Sequence, residues 1–319
     1  MAVHQVAATP ETVRLGMFDA TIPPVLTIAS GDTVALECLS GGPEVMPPPG
    51  SPLAIPTGLA AIHAANPARL GTHMLTGPVA VAGAMPGDML EVRIEAVEPA
   101  ADWGYCGFRP LAGTLPEDFP HRYMSHIPVD RARGVCRLPW GPELKLRPFF
   151  GIMGVAPPAD WGRISSREPR LHGGNLDNRE LVAGSTLWLP VLVEGANFSA
   201  GDGHGLQGDG EVCVNALEMC LDGRFTLVLH KGHGVQDPIL LQPRAETPTH
   251  FITMGLNEDL GIAMKQALRE MIALITTRSG LTRDEAYVSC SLAVDFRVTQ
   301  TVNGEKGVHG MLRKGLLFA

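Results

Sequence analysis

The sequence predicts an α+β fold that is rich in β-strand, and three observations support this. Glycine (37 residues) and proline (27 residues) together make up one fifth of the 319 residues, against about 12% in ordinary domains. Only 18% of the residues are charged and the mean hydropathy is +0.11, which excludes a coiled coil and a disordered chain. Apolar residues recur with a period of two along most of the chain, and with a helical period only after residue 257.

The N-terminal part, residues 1–147, is predicted to resemble a β-sandwich. Gly-Asp pairs at residues 31–32 and 87–88 each precede an alternating strand, and the second runs from Leu90 to Ala96 with charged residues between the apolar ones. Residues 41–56 form a long loop that is rich in proline and glycine. We expect residues 99–147 to be irregular.

The C-terminal part, residues 148–319, is predicted to be a mixed α/β unit with two late helices. Strands are expected at residues 185–193, 211–219 and 225–230, with a hairpin turn at Asp222-Gly223. An apolar stripe predicts a helix from Asn257 to about Thr277. Thr282 and Glu285 form a capping box that starts a second helix, and residues 292–302 return to strand.

The charge balance, the terminal and apolar patterns and the cysteines indicate which partners and which cellular compartment to expect. The formal net charge is −8 and no basic run is present, so we expect no nucleic-acid partner. The sequence shows neither a secretory signal nor an apolar run of the roughly 18 residues that a membrane span needs. Six cysteines lack C-x-x-C spacing, which is typical of free thiols in a reducing cytoplasm. The low charge content favours a homo-oligomer, a dimer or higher.

Polar residues concentrate in the glycine-rich stretch from His172 to Glu211, on either side of a predicted apolar strand. Within residues 200–211 there are five glycines beside two aspartates, a histidine, a glutamine and a glutamate. Glycine lets the backbone approach a ligand closely, and clustered carboxylate and imidazole groups suit a metal ion or proton transfer. This stretch is therefore the predicted functional site.

Three familiar motifs do not explain this stretch. Residues 203–208 match G-x-G-x-x-G, but a loop precedes them and a predicted strand follows, whereas dinucleotide binding requires a strand and then a helix. Asp202 and Asp209 do not have the spacing of an EF-hand loop. The chain contains no G-x-S-x-G sequence, which excludes a hydrolase serine of that type.

Several segments, in order from about residue 30 to the end, resemble the acetamidase/formamidase family. They are residues 73–78 (HMLTGP), 81–88 (VAGAMPGD), 173–179 (GGNLDNR), 181–193 (LVAGSTLWLPVLV), 198–204 (FSAGDGH), 207–211 (QGDGE), 297–303 (RVTQTVN) and 307–309 (GVH). The resemblance implies hydrolysis of a small linear amide, such as formamide or acetamide, to the acid and ammonia. It also implies a β-rich two-part fold, an oligomer and a bound divalent metal, with zinc and calcium as candidates.

Amide hydrolysis needs an activated water or nucleophile, an electrophile for the developing oxyanion and an acid for the leaving amine. Protein ligands and a water around Zn²⁺ would supply the first two together, so zinc is the first candidate and calcium the second. We assign catalytic roles to Glu211, as general base or acid, and to His204. The predicted metal ligands are Asp177, Asp202, His204 and His73, and the predicted substrate-binding residues are Asn175, Arg179 and Gln207.

Alternatives remain open at this point. The chain could be a non-catalytic metal- or ligand-binding β module on the same scaffold, or a hydrolase of a different or cyclic amide. Met74 and Ala84 depart from common family usage, which puts the substrate in question. Cys106 is a weaker candidate nucleophile. Ordinary structural roles are expected for several other polar residues: an Asx turn for Asp209, an ion pair of Arg179 with Asp177 or Glu180, and strand or loop positions for Glu218, Glu246 and His230.

Overall fold

The computed structural model describes residues 1–65, 67–234 and 242–318. Strands dominate, which confirms the β-rich α+β prediction. The helices are α1 (Thr57–Ala65), α2 (Lys231–Gly234), α3 (Leu260–Ser279) and α4 (Arg283–Ala293). The strands are β1 (Val3–Val6), β2 (Val13–Leu15), β3 (Met17–Phe18), β4 (Leu26–Ile28), β5 (Thr33–Cys38), β6 (Met74–Val81), β7 (Met89–Pro99), β8 (Trp103–Phe108), β9 (Tyr123–Asp130), β10 (Val135–Arg137), β11 (Glu143–Lys145), β12 (Phe149–Gly154), β13 (Ile164–Ser165), β14 (Gly173–Asn175), β15 (Thr186–Pro190), β16 (Phe198–His204), β17 (Leu221–His230), β18 (Arg244–Glu246), β19 (His250–Asn257), β20 (Val294–Gln300) and β21 (Lys306–Arg313).

Two sheets pack face to face around the main core. One is nine-stranded, in the order β1-β5-β17-β7-β15-β18-β19-β21-β20, and the other is six-stranded, in the order β14-β12-β16-β6-β2 with β4 beside β6. Phe225 of the first sheet contacts Phe150 and Phe198 of the second, at ring-centroid distances of 5.5 and 5.4 Å. All three rings are fully buried, so the sandwich closes over an aromatic centre.

The nine-stranded sheet combines strands from both sides of residue 147. Strand β17 pairs with β5 and β7, and β7 also pairs with β15. The alternation predicted from Leu90 to Ala96 is visible in β7, because Leu90, Val92 and Ile94 are buried while Arg93 is exposed. The division into residues 1–147 and 148–319 stays a prediction.

The two late helices are present, and the second begins with the capping that the sequence indicates. Helix α3 starts at Leu260, three residues after the predicted start at Asn257. Asp259 is its N-cap and accepts from the backbone N–H of Ile262 at 2.8 Å. Helix α4 has the predicted capping box between Thr282 and Glu285. Helix α3 packs against β19 and β21, and α4 contacts α3 and β20. None of the helices in the described ranges combines the length and apolarity that a membrane-spanning helix needs.

Three local predictions were wrong. Residues 99–147 hold a four-stranded sheet in the order β11-β10-β9-β8, whose shorter strands span too few residues to show a period. Residues 211–219 form turns and loop rather than a strand. Asp222-Gly223 lies inside β17 instead of in a hairpin turn. The glycine is required there by packing, because a side chain at Gly223 would come within 2.6 Å of the rings of Phe150 and Phe225.

Candidate active site

The site forms where three neighbouring strands of the six-stranded sheet meet. Strand β12 lies between β14 and β16, with Ile152 opposite Asn175 on one side and Gly201 on the other. Gly151 therefore lies between the segments that carry Asp177 and Asp202. A Cβ at Gly151 would lie 2.8 Å from His204 Cε1 and 2.9 Å from Asp202 Oδ2, and closer still to Asp177 Oδ1. The absence of a side chain there lets the functional groups converge.

Three of the acidic residues have a left-handed backbone conformation. The φ angles are 45° at Asp177, 57° at Asp202 and 43° at Glu211. Positive φ is uncommon for residues other than glycine and costs about 1–3 kcal/mol. Three such residues in one buried cluster indicate that surrounding packing enforces these positions, as in functional sites.

His204 is the centre of the cluster and is fully buried. Its Nδ1 lies 2.9 Å from Gln207 Oε1, and Gln207 Nε2 donates to the backbone carbonyl of Asp177 at 2.8 Å. Because the second bond fixes the glutamine amide, its oxygen faces the ring and Nδ1 carries the proton. The Nε2 atom is therefore the unprotonated one in the neutral ring, and it has no hydrogen-bond partner.

Carboxylates surround that nitrogen. His204 Nε2 lies 3.4 Å from Glu218 Oε1, 3.5 Å from Asp202 Oδ2 and 4.0 Å from Glu211 Oε1. Asp177 Oδ1 lies 3.7 Å from Nδ1. All four acids are buried, with Asp202 the most exposed at 7%. Four acids share one enclosed site, so they cannot all be ionised there without a compensating positive charge.

The pKa values follow from this crowding. Burial raises the pKa of Glu211 well above its usual range, and the nearby Asp177 carboxylate adds to the shift. Burial likewise raises the pKa of Asp177 and of Glu218. Burial alone would lower the pKa of His204, but the adjacent Glu218 and Asp202 outweigh it and raise that pKa well above its usual value. The cluster therefore retains protons, or binds another cation in their place.

Two asparagines separate the carboxylates. With the Asn175 amide oriented so that its nitrogen faces the acids, which satisfies all of its neighbours, it donates to Asp177 Oδ1 and to Asp202 Oδ2, both at 3.1 Å, and accepts from Asn303 Nδ2 at 3.2 Å. Asn303 also donates to Asp177 Oδ2. These amides hold the acids in place without adding charge.

A cavity of about 380 Å³ reaches this cluster. His73 is on its wall, with Nδ1 at 2.9 Å from Ser166 Oγ and Nε2 at 4.0 Å from Asp202 Oδ2. Other residues on the wall are Tyr105, Phe108, Asn175, Asp202, Glu211, Glu218 and Asn303. The cavity is thus bordered by aromatic and polar side chains, with acids at one end.

The structure brings together most of the residues that the sequence singled out. Asp177, Asp202, His204 and Glu211 lie within one cluster, and Asn175 joins it. Gln207 does not line the 380 Å³ cavity. Both ends of its amide are engaged by protein groups, so neither is free to bind substrate.

Arg179 is outside the cluster's contacts. It does not line the cavity, and its buried Nε has no hydrogen-bond partner. The expected ion pair with Asp177 or Glu180 is not formed in the described part of the chain. Glu180 instead pairs with Arg147 at 2.6 Å and with Arg297 at 3.7 Å. Asp209 is exposed at the surface, in keeping with a loop residue.

Cys106 contacts another thiol rather than a base. Its Sγ lies 3.7 Å from Cys213 Sγ and 3.6 Å from the Asn215 carbonyl. The hydrogen-bonded Cys213 and burial both raise the pKa of the Cys106 thiol, so little thiolate is present to act as a nucleophile. All six cysteines are free.

Sequence reasoning missed three members of the site. Glu218 was expected to be an ordinary polar residue, yet it is fully enclosed beside His204 and joins Tyr105 and His204 by backbone bridges. Asn303 lies in the C-terminal motif (residues 297–303) that carries the resemblance, and this was the available signal. Gly151 follows two phenylalanines in an apolar run, where nothing in the local sequence marks it.

The donor atoms suit a divalent metal ion. Two groups, Asp177 with His204 and Glu211, and Asp202 with His204 and Glu218, each offer ligand atoms within 4.8 Å of one another. His204 Nε2 and Glu211 Oε2 are buried without a hydrogen-bond partner. Imidazole nitrogen and carboxylate oxygen are both zinc ligands. His73 lies outside both groups.

Known proteins resemble this chain in sequence and in structure. A formamidase of Methylophilus methylotrophus is 30% identical over 246 residues, covering 59% of this chain and 60% of the relative. An acetamidase of Mycolicibacterium smegmatis is 30% identical over 206 residues, covering 46% of this chain and 51% of the relative. The alignments thus span only about half to three fifths of these curated relatives.

A solved structure extends the similarity to nearly the whole chain. The acetamidase of Bacillus halodurans matches with a TM-score of 0.82 and 28% identity, over 97% of each chain. The sequence model of the Acetamidase/Formamidase family matches residues 9–168 and 163–308. These matches include every residue of the buried cluster, and the chain therefore belongs to the acetamidase/formamidase family.

Proposed function

We propose that this protein hydrolyses a small linear amide, of the formamide or acetamide type, to a carboxylic acid and ammonia. The observation that carries this proposal is the buried cluster of His204 and four carboxylates at the end of a cavity, in a chain of this family. The names of the formamidase and acetamidase relatives support the same chemistry.

A divalent metal is proposed as the cofactor. His204, through its unprotonated Nε2, would hold it together with Asp202, and Glu218 lies close enough to contribute. Asp177, the other proposed ligand, offers its oxygen in a second group with His204 and Glu211. A bound divalent ion supplies a Lewis acid for the amide carbonyl and lowers the pKa of water. The imidazole favours zinc as the first candidate, whereas the many oxygen donors keep calcium as the second.

Glu211 is proposed as the general base and acid. It lines the cavity, and its Oε2 has no hydrogen-bond partner. A carboxylate with a raised pKa can take a proton from the attacking water and then donate it to the leaving nitrogen. The same atom, Glu211 Oε2, would therefore hold the proton between the two steps.

The remaining predicted residues receive positioning or binding roles. Asn175 and His73 line the cavity and are proposed to orient the amide. Gln207 is proposed to fix the His204 tautomer rather than to bind substrate, since its amide is bonded to His204 and to the Asp177 carbonyl. Arg179 remains a proposed substrate-binding residue, although it does not line the cavity and lies away from the cluster.

The cellular compartment, the oligomeric state and the partners are also proposed. We propose a cytoplasmic protein, because its six cysteines are free, and a homo-oligomer, because its charge content is low. The acidic net charge disfavours a nucleic-acid partner. A binding module that had lost catalysis is the second candidate, but such a relic would be expected to have lost Asp177, His204 or Glu211, and all three converge here.

The test joins metal analysis to an ammonia-release assay. Purified protein is assayed with formamide and acetamide after treatment with a chelator, and again after reloading with Zn²⁺ or Ca²⁺. We expect ammonia release from the reloaded protein and little from the chelated protein. Absence of ammonia from both amides at full metal occupancy would contradict the proposed function.

A further inference from the structure

Three arginines line the same cavity as the catalytic cluster. Arg109, Arg122 and Arg167 are all exposed residues on the cavity wall. Arg122 Nη2 donates to the backbone carbonyl of Glu44 at 3.0 Å, and Arg167 Nη2 donates to that of Val302 at 3.2 Å. Within residues 1–65, 67–234 and 242–318, none of the three guanidinium groups forms an ion pair with a carboxylate.

Some arginines outside the cavity are paired with acids. Arg133 pairs with Glu143 at 2.6 Å, and Arg163 pairs with Asp19 at 3.1 Å. The cavity thus gathers guanidinium groups whose charge is uncompensated by a paired acid. Guanidinium groups bind carboxylates through parallel hydrogen bonds, which makes an organic carboxylate a fitting partner.

The cavity is also larger than formamide or acetamide requires. A volume of about 380 Å³ would hold about twelve waters at their share of about 30 Å³ each. Acetamide has only four non-hydrogen atoms, so it would leave most of this space empty. A longer substrate would fill the cavity from the buried cluster to the arginines.

The charged residues on the cavity wall form two groups, the exposed arginines and the buried acids. Glu44 is the one acidic wall residue outside the cluster, against three arginines. Asp202, Glu211 and Glu218 are at the buried end, where His204 and a metal would balance their charge. An anionic group would therefore be attracted to the arginine-bearing wall and kept away from the acids.

We propose that the preferred substrate is a linear amide that carries a carboxylate at its far end, such as the monoamide of a short dicarboxylic acid. The arginines bind the carboxylate while the amide group reaches the buried cluster. This inference rests on the proposed function, and it names the class of amide that the site selects.

The test compares succinamate with 4-methylpentanamide, in which an uncharged isopropyl group replaces the carboxylate. The metal-loaded protein is assayed for ammonia release with both amides and with acetamide. Hydrogen bonds to charged groups predict a kcat/KM for succinamate that is about ten- to a hundred-fold higher than for its neutral counterpart. The preference should decrease as salt is raised, because the arginines are exposed.

The arginines are tested by Arg109→Gln, Arg122→Gln, Arg167→Gln and the triple variant, with Arg283→Gln on helix α4 as a control of equal charge change away from the cavity. The readout is the ratio of the two kcat/KM values, which a purely structural defect would leave unchanged. We expect the triple variant to bring this ratio close to one, and Arg283→Gln to keep it.

Three outcomes separate this inference from the proposed function. Ammonia from acetamide with no preference for succinamate over 4-methylpentanamide would overturn the inference and leave amide hydrolysis standing. An unchanged ratio in the triple variant would overturn the role of the arginines. Absence of ammonia from every amide would instead contradict the proposed function itself.

Discussion

Replacing Gly151 with alanine places a methyl group among three side chains of the site. The new Cβ would lie 2.8 Å from His204 Cε1 and 2.9 Å from Asp202 Oδ2. Ordinary contacts of this kind begin near 3.4 Å, so each group must move by about 0.5 Å, and Asp177 by more. Misplacement of about 1 Å can cost about a hundred-fold in rate. We therefore expect a loss of amide hydrolysis of about that size.

The fold should survive this change. Gly151 lies within β12 and its φ is not in the left-handed region, so alanine can adopt its backbone conformation. Overpacking of a close-packed site costs about 1–3 kcal/mol, which we expect to see as a modest decrease in Tm.

The assay measures ammonia release and bound metal for Gly151→Ala, with Gly208→Ala as the matched control. A Cβ at Gly208 would have no atom within 4 Å, and this glycine also has no positive φ. We expect Gly208→Ala to behave like the unmodified protein. Normal activity and normal metal content in Gly151→Ala would refute the reasoning that close approach at this position builds the site.

Three further predictions concern individual groups of the site. Gln207→Ala should lower metal affinity by about ten- to a hundred-fold, as expected when a group that orients a ligating histidine is removed, and unchanged affinity in a metal titration would argue against its role in holding His204. Cys106→Ala should retain amide hydrolysis, because this thiol contacts Cys213 and not the cluster, whereas abolished turnover in a folded variant would support a cysteine nucleophile. Asp177, His204, Glu211 and Glu218 have raised pKa values, so they hold protons that the unfolded chain releases, and their contribution to the stability of the chelated protein should fall as pH rises from about 5 to 8. Buried His172 and His309, whose pKa values are lowered to about 3 and about 4, have the opposite effect. The measurement is therefore the Tm of the chelated protein relative to that of chelated Glu211→Gln, in which the uncharged form is fixed. This difference should move against the unmodified protein as pH rises, added metal should stabilise most at high pH, and a difference that moves in favour of the unmodified protein would contradict the raised pKa of Glu211.

The sequence indicated the location of the site well, for a physical reason. Asp202 and His204 lie on one short strand, β16, and Gln207 and Glu211 follow within seven residues. Polar residues amid glycines between apolar strands have no role in packing, so their clustering is visible without a structure. The capping box at Thr282 was readable for a similar reason, because all its contacts are local.

The missed features depend on contacts between distant segments. Glu218 enters the site because its backbone bridges to Tyr105, more than a hundred residues away, and to His204. Gly223 was interpreted as a turn residue, yet it is a glycine because Phe150 of the opposite sheet packs against it. Local spacing cannot distinguish a glycine required by a turn from one required by a neighbouring ring.

The two uses of glycine explain why composition alone was ambiguous. Some glycines form turns, as at Gly31 and Gly87, where φ is positive. Others, such as Gly151, leave space for functional groups from adjacent strands. Only the strand register, which places β12 between β14 and β16, separates the two.

The most direct test of the account compares ammonia release from acetamide by the unmodified protein, Glu211→Gln and Asp209→Asn, all at equal metal occupancy. Asp209 is an exposed acid two residues from Glu211 and serves as the control. We expect release by the unmodified protein and Asp209→Asn, and a loss of about a hundred-fold or more in Glu211→Gln, as for removal of a general base. Equal rates in Glu211→Gln and the unmodified protein, or no ammonia from any of the three, would contradict the account.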